Sequence, residues 1–336
     1  MKKQNVLVTG GLGYIGSHIC CSLLENNYIV YVIDNMSNSY ISCIDNINEI
    51  TKNNLKFFEG DIRDISFLDT VFGNNNIDVV IHCAGLKSPS ESIIKPQEYY
   101  SNNIDGSKNL LQSMDSYGVD KIVFSSTAAV YGESKIQPVN ENFPLSPSNP
   151  YGETKMIIEK MIINQSDRRK NFRYINLRYF NPIGAHRSGL LGENPKGNPD
   201  NLMPHIIKVA SGKLDHISVF GDDYKTFDGT GLRDYIHVED LSNAHIKAID
   251  YLNINDKSGT YNIGTGLPVS VLELVKTFEA INKINIPFEI CQRRSNDVDI
   301  NYADPSKANE SLHWYAEKNL NDMCEDSWRW AKKFVK

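Results

Sequence analysis

Apolar residues in the first half of the chain come in short, continuous, β-branched runs: "NVLVTG" 5–10, "IVYVID" 29–34, "LKFFEGD" 55–61, "DVVIHCAG" 78–85, "KIVFSS" 121–126 and "FRYINLRYF" 172–180. Continuous runs of this length suit strands buried on both faces. Between them, "GSHICCSLLENN" and "NNIDGSKNLLQSMDSYG" carry apolar residues at helical spacing. Strand and helix in alternation predict an α/β fold with a doubly wound parallel sheet. After residue 180 the rhythm changes, and glycine, proline and asparagine punctuate "NPIGAHRSGLLGENPKGNPDNLMP" too often for long elements. The pattern predicts a first domain over 1–180 and a smaller second domain over 181–336. "RDYIHVEDLSNAHIKAIDYL" resumes strand and helix, so 235–260 is expected to return to the first domain.

Composition narrows the class. Hydrophobic residues at 40% and charged residues at 23% of 336 fit a compact soluble protein and exclude disordered and fibrous chains. Thirty-five basic against 41 acidic side chains give a formal charge of −6, with no footprint for nucleic acid or an acidic membrane surface. A phosphate ligand must then be met by local basic residues. The six cysteines show neither a C-x-x-C pair nor a zinc-ligand spacing, and read as reduced thiols with no metal. The apolar run behind the N-terminal lysines is too short for a signal peptide, and no stretch approaches about 18 apolar residues. A cytoplasmic location is expected.

"VTGGLGYIGSHI" places Gly10, Gly13 and Gly16 after a strand and at the opening of a helix. Glycines there permit a tight turn, backbone approach to a pyrophosphate and close packing of helix on strand. Asp34 ends the next strand, where a carboxylate accepts hydrogen bonds from a ribose and repels a 2′-phosphate. The first domain therefore reads as a Rossmann domain binding NAD in preference to NADP. Asp61, at the end of the third run, either touches the adenine together with Ile62 or closes a plain strand-end turn.

"PYGETK" 150–155 sets Tyr151 and Lys155 on one helix face behind a proline suited to the first turn. Such a pair is common on helix surfaces. Behind a nucleotide-binding loop, and after "FSSTAAVYG" with its hydroxyls Ser125, Ser126 and Thr127, it reads instead as a proton-relay site. Positive charge from Lys155 and from an oxidised nicotinamide favours the phenolate, so Tyr151 is a candidate general base, with Thr127 hydrogen-bonding the substrate hydroxyl.

With these motifs the chain resembles the extended short-chain dehydrogenase/reductases, and among them the UDP-glucose 4-epimerase (UDP-galactose 4-epimerase) family. The likeness extends to "DNMSNS" 34–39, "GDIRD" 60–64, "AGLKSPSES" 84–92, "RYFNPIGAH" 178–186, "DNLMP" 200–204, "VFGDDY" 219–224, "DGTGLRDYIHVEDL" 228–241 and "YNIGTG" 261–266. It implies that NAD is held by Tyr14, Ile15, Asp34, Asn35, Asn38, Ser39, Asp61, Ile62, Cys83, Ala84, Lys87, Asn102 and Phe180, with Tyr151 and Lys155 also touching the cofactor. For a UDP-sugar it implies Thr127, Tyr151, Asn181, Asn201, Val219, Phe220, Arg233, Arg294, Asp297 and Asn301, the two guanidinium groups suiting a diphosphate.

The implied reaction is reversible C4 epimerisation of UDP-glucose and UDP-galactose, an isomerase activity in galactose metabolism that passes through a 4-ketose with NAD retained. Related 4,6-dehydratases place carboxylates where this chain has Ala128 and Ala129. UDP-glucuronate epimerases and a catalytically silent nucleotide-sugar scaffold are the other readings. Three positions depart from the family pattern. Thr127 stands for the usual serine, and Cys83 stands where an aromatic is frequent. Asn301 occupies a place that is tyrosine in members restricted to glucose and galactose, which opens the pocket to UDP-GlcNAc and UDP-GalNAc. The resemblance also implies a homodimer through helices near 92–118 and 152–166.

Overall fold

Val6, Leu7 and Val8 are consecutive, so only a strand covered on both faces buries all three, and all three are fully buried. The computed structural model describes residues 3–134, 136–197, 199–294 and 298–334. The strands are β1 (Asn5–Thr9), β2 (Ile29–Asp34), β3 (Lys56–Glu59), β4 (Val79–His82), β5 (Lys121–Thr127), β6 (Arg173–Tyr179), β7 (Asn181–Ile183), β8 (Ile217–Phe220), β9 (Leu232–His237), β10 (Gly259–Ile263), β11 (Pro268–Ser270), β12 (Phe288–Cys291) and β13 (Ile300–Asn301). Each of the six early apolar runs forms a strand: four are trimmed by up to three residues at an end, β2 matches its run, and β5 extends one residue further, to Thr127.

The chain forms two compact units. The first comprises Met1–Gly132, Pro144–Arg178 and Ser242–Tyr261, and the second Glu133–Phe143, Tyr179–Leu241 and Asn262–Lys336. In the first lies a sheet ordered β10-β6-β5-β4-β1-β2-β3, in which β1, β2, β3, β4 and β5 pair in parallel. Leu7, Ile33, Val80 and Phe124 share a core with Ile158 and Ile162 of helix Pro150–Arg168. The intervening Val8 and Val32 point to the other face and are equally buried. Strand order reverses between β1 and β4, and at such a switch point the carboxyl ends of the strands leave a crevice for ligands.

The second unit holds β9 paired with β7, β11 and β13, and β8 paired in parallel with β12. Its core gathers Met203, Ile206, Phe278 and Trp330. Residues 133–143, which the sequence pattern left in the first domain, group here. The Val139 N–H donates to the Tyr302 carbonyl at 2.9 Å, and the Val139 carbonyl accepts from Asp304 N–H and Asn262 Nδ2, each at 2.8 Å. No periodicity announces such a loop-to-loop attachment. Among the described residues, no helix is long and apolar enough to cross a membrane.

Candidate active site

The glycine loop is shaped by contacts that leave no room for a side chain at Gly10 or Gly16. Gly10 has φ +70°, and a Cβ there would lie 2.7 Å from the Ala84 nitrogen. One on Gly16 would lie 2.1 Å from the Gly10 carbonyl oxygen, whereas at Gly13 the same oxygen is 3.4 Å away. Helix Tyr14–Glu25 follows directly, its first N–H groups unspent on side-chain caps. Tyr14 and Ile15 open that helix, and the exposed Lys87 reaches over the Tyr14 ring at 5.9 Å.

Asp34 is buried and already organises its surroundings. One carboxylate oxygen accepts the Leu12 N–H at 3.0 Å; the other accepts the Met36 N–H at 2.8 Å and the Ser39 hydroxyl at 2.9 Å. A carboxylate has about four acceptor sites, so one remains for a further hydroxyl. Asn35 and Asn38 are exposed at the same turn. Asp61 accepts from Arg63 Nε at 3.0 Å and Nη2 at 2.8 Å and from Asn35 at 2.9 Å. The Arg63 hydrogen bonds hold its carboxyl down to about 2. Asp61 thus closes a strand-end turn beside the buried Ile62. Asn102 lies in a π-helical turn, Tyr100–Asp105, and donates to Asn103 Oδ1 at 3.1 Å.

Helix Pro150–Arg168 starts where Asn149 accepts the Gly152 N–H at 2.9 Å and proline fills the first turn. It carries Tyr151 and Lys155. The Lys155 ammonium, 5% exposed, donates to the Ser125 carbonyl at 2.9 Å and lies 4.9 Å from the Phe124 ring centroid. Burial pushes it down to about 8, with Cys83 and Glu159 resisting. Burial raises Tyr151 above the ordinary phenol value, and a hydrogen bond from the Thr127 hydroxyl opposes that rise. In the ligand-free chain the lysine is turned onto β5, and the Thr127 hydroxyl is the group that favours the phenolate.

The three strand-end hydroxyls also separate. Ser125 Oγ meets Cys83 Sγ at 2.9 Å, and Ser126 donates to Glu159, leaving Thr127 at the tyrosine. Glu159, buried four residues beyond Lys155, pairs with Arg178 and was not singled out from the sequence. Its spacing on the Tyr151 and Lys155 stripe was the available signal.

In the second unit Phe180 is buried, its N–H donating to the Ile263 carbonyl at 3.2 Å, and Asn181 opens β7. Asn201 donates to Glu193 at 2.9 Å at the start of helix Leu202–Ala210. Val219 and Phe220 end β8, and the Arg294 guanidinium sits 4.2 Å from the Phe220 ring centroid. Arg233, on β9, donates to the Leu232 carbonyl at 2.7 Å, and Asn301 on β13 is its register partner. Asp297 lies outside the described residues.

His237, Glu239 and Asp326 also cluster in this unit. The His237 Nδ1 accepts the Glu239 N–H at 3.0 Å, so its Nε2–H faces Asp326 at 3.2 Å. Arg329 pairs with Asp326, and Lys318 approaches Glu239 at 3.7 Å. The donor atoms are committed to one another, as an ion-pair network.

The family model for the NAD dependent epimerase/dehydratase family matches residues 6–264. A UDP-glucose 4-epimerase of Bacillus subtilis (strain 168) is 48% identical over 330 residues, covering 98% of this chain and 97% of the relative. The crystal structure of the Stenotrophomonas maltophila UDP-glucose 4-epimerase, with bound NAD and formylated UDP-arabinopyranose, superposes with a TM-score of 0.97 at 44% identity over 99% of both chains. That of the Bifidobacterium longum enzyme, with NAD+ and UDP, gives 0.95 at 45% over 99% of both. Similarity this high along nearly the whole length means that the chain belongs to the UDP-glucose 4-epimerases of the NAD dependent epimerase/dehydratase family.

Proposed function

We propose that the chain interconverts UDP-glucose and UDP-galactose by inverting C4, with NAD retained as a prosthetic group. The observation that carries this reading is the Tyr151 hydroxyl held by Thr127 one helical turn from a buried lysine. The cofactor fits these residues: the cradle at Gly10 and Gly16 admits backbone only, and Asp34 keeps an acceptor site beside it. When bound, NAD supplies the group that accepts hydride from C4 and returns it. Gly10, Gly13 and Gly16 would lie against the pyrophosphate, and Asp34 would take a ribose hydroxyl. Asn35, Asn38, Ser39, Ile62, Cys83, Ala84, Lys87, Asn102 and Phe180 complete the binding set, and Asp61 contributes through its turn.

Tyr151 takes the proton from the sugar 4-hydroxyl and later returns it. Thr127 holds that hydroxyl in line, and Lys155 faces the cofactor ribose while its charge favours the phenolate. Arg233 and Arg294 neutralise the UDP diphosphate, and Phe220 and Val219 line the uridine. Asn181, Asn201 and Asn301 contact the nucleotide sugar. Firm retention of UDP with a loosely held ketose lets either face of C4 be reduced, which inverts the centre.

Asn301 favours a second substrate pair, UDP-GlcNAc and UDP-GalNAc, because asparagine leaves volume that tyrosine would fill. The same reading includes a homodimer through the helices near 92–118 and 152–166 and a cytoplasmic location. The test is NMR of the purified chain mixed separately with UDP-galactose and UDP-GlcNAc, without added NAD. Both C4 epimers are expected, and Tyr151→Phe is expected to form neither. Absence of any epimer after NAD is supplied would sink the assignment.

A further inference from the structure

Tyr151, Lys155 and Glu159 stand one turn apart along a single stripe of helix Pro150–Arg168. Glu159 is 1% exposed, and a carboxylate so placed requires a cation and further donors. Arg178, on β6, supplies a two-pronged pair, Nε to Oε1 at 2.9 Å and Nη2 to Oε2 at 2.6 Å. Ser126, on β5, donates to Oε1, and Arg178 Nη1 donates to the Tyr131 hydroxyl at 2.9 Å. The carboxylate therefore ties the helix to two strands, and at one chosen point on β5. Ser126 lies between Ser125, whose carbonyl holds Lys155, and Thr127, whose hydroxyl meets Tyr151.

A buried pair of this kind contributes little net stability over apolar residues of similar volume. Its place directly behind the reacting pair gives it another use. We propose that Glu159 is a positioning residue for the reaction: shared between Ser126 and Arg178, its carboxylate fixes the register that sets Tyr151 against Thr127 and supplies the standing negative charge that Lys155 faces. The proposal rests on the reading of Tyr151 and Lys155 as the reacting pair.

The groups facing Lys155 leave few other sources of charge. From β4 and the residue after it come His82 and Cys83; from β5, the Phe124 ring and the Ser125 carbonyl; from its own helix, Tyr151 and Glu159; and from β6, Arg178 by way of Glu159. Burial pushes the Cys83 thiol up to about 11 and holds His82 down to about 3. Both are neutral where Lys155 titrates. Glu159 is then the negative charge that acts on the lysine, and it is paired with Arg178.

The test is a pH titration of Lys155 in the full chain, by NMR of 13C-labelled lysine side chains assigned against Lys155→Arg. Two variants are compared with the wild type, Glu159→Gln and the paired Glu159→Met/Arg178→Met. The expected midpoints fall in the order wild type, paired variant, Glu159→Gln, the last about one unit or more below the wild type, a tenfold change. In turnover assays kcat and its pH limb are expected to move with the midpoint while KM for the UDP-sugar stays put. Unchanged midpoints in folded variants would overturn the proposal, and loss of fold in both variants would do so by assigning the pair to stability alone. The titration needs no turnover, so an inactive wild type would count against the epimerase reading without touching this result.

Discussion

The Lys155 ammonium donates to the Ser125 carbonyl at 2.9 Å, so the cation is moored to β5 and not to the tyrosine one turn before it. The mooring replaces one water hydrogen bond and leaves a nearly buried charge beside an aromatic face. Such a charge costs stability, and sites of chemistry are where that cost is commonly borne.

Lys155→Met should therefore stabilise the ligand-free chain while removing activity. The lysine's folded value, about 8, lies below the unfolded value. The folded state thus disfavours the proton, and the penalty is complete below pH 8 and fades as pH rises toward about 10.4, where the unfolded chain also loses it. Relief of part of that penalty is worth about 1–3 kcal/mol at pH 7. Urea unfolding at pH 7 and pH 9.5 is expected to show a gain for Lys155→Met that shrinks at the higher pH, with kcat at least about a hundredfold down. A destabilised variant at pH 7 would contradict this account.

A second buried titratable group makes the same demand in a lower pH window. His82 lies between the Thr9 hydroxyl at 2.7 Å and the Ser107 hydroxyl at 2.8 Å, and burial holds it down to about 3. A depressed histidine contributes stability that is complete above about pH 6.5 and is lost as pH falls toward 3. Between pH 7 and pH 4.5 this one residue should cost the wild type about 2–3 kcal/mol. His82→Gln, which keeps a donor and an acceptor without titrating, is expected to flatten that part of the stability profile. Parallel profiles for the two proteins would show that His82 is not its source.

The sequence made the strand ends of the first unit readable because continuous apolar runs and glycines have few structural meanings. Gly10, Asp34, Thr127 and Tyr151 follow from local patterns alone. What was hidden depends on partners far apart in the chain. The role of Ser126 was hidden until alternation on β5 sent its hydroxyl inward to Glu159 and left that of Thr127 at Tyr151. The attachment of Val139 to Tyr302 and Asp304 joins two irregular segments, for which hydrophobic spacing carries no signal. Asp61 remained ambiguous because its partner Arg63 serves a turn as well as it would serve a ligand site.

The three loop glycines should respond differently to one added methyl. At Gly16 the Cβ would meet the Gly10 carbonyl at 2.1 Å, backbone against backbone, and neither side can give way. Gly16→Ala is expected to lose about 2 kcal/mol or more of stability together with its NAD. At Gly13 the contact is an ordinary 3.4 Å and φ is −69°, so Gly13→Ala should fold with wild-type stability. It should nevertheless purify with less NAD, because the methyl projects where backbone must approach the pyrophosphate. Thermal unfolding and the absorbance of released cofactor separate the two outcomes; equal stability losses would refute the distinction.

Substrate choice should turn on Asn301. It pairs in register with Arg233 across β13 and β9, so a larger side chain at 301 grows beside the arginine assigned to the diphosphate while leaving the strand backbone unchanged. A tyrosine adds bulk where the N-acetyl group would lie, and exclusion by bulk discriminates more sharply than a slightly better fit, because a packed wall cannot yield. Asn301→Tyr is expected to keep kcat/KM for UDP-galactose within about threefold and to lower that for UDP-GlcNAc by about tenfold or more, a difference of at least about 1.4 kcal/mol between the two transition states. Coupled assays on both sugars with the same preparation decide it. Equal losses on both sugars would place Asn301 in general UDP binding, and an unchanged ratio would remove it from sugar selection.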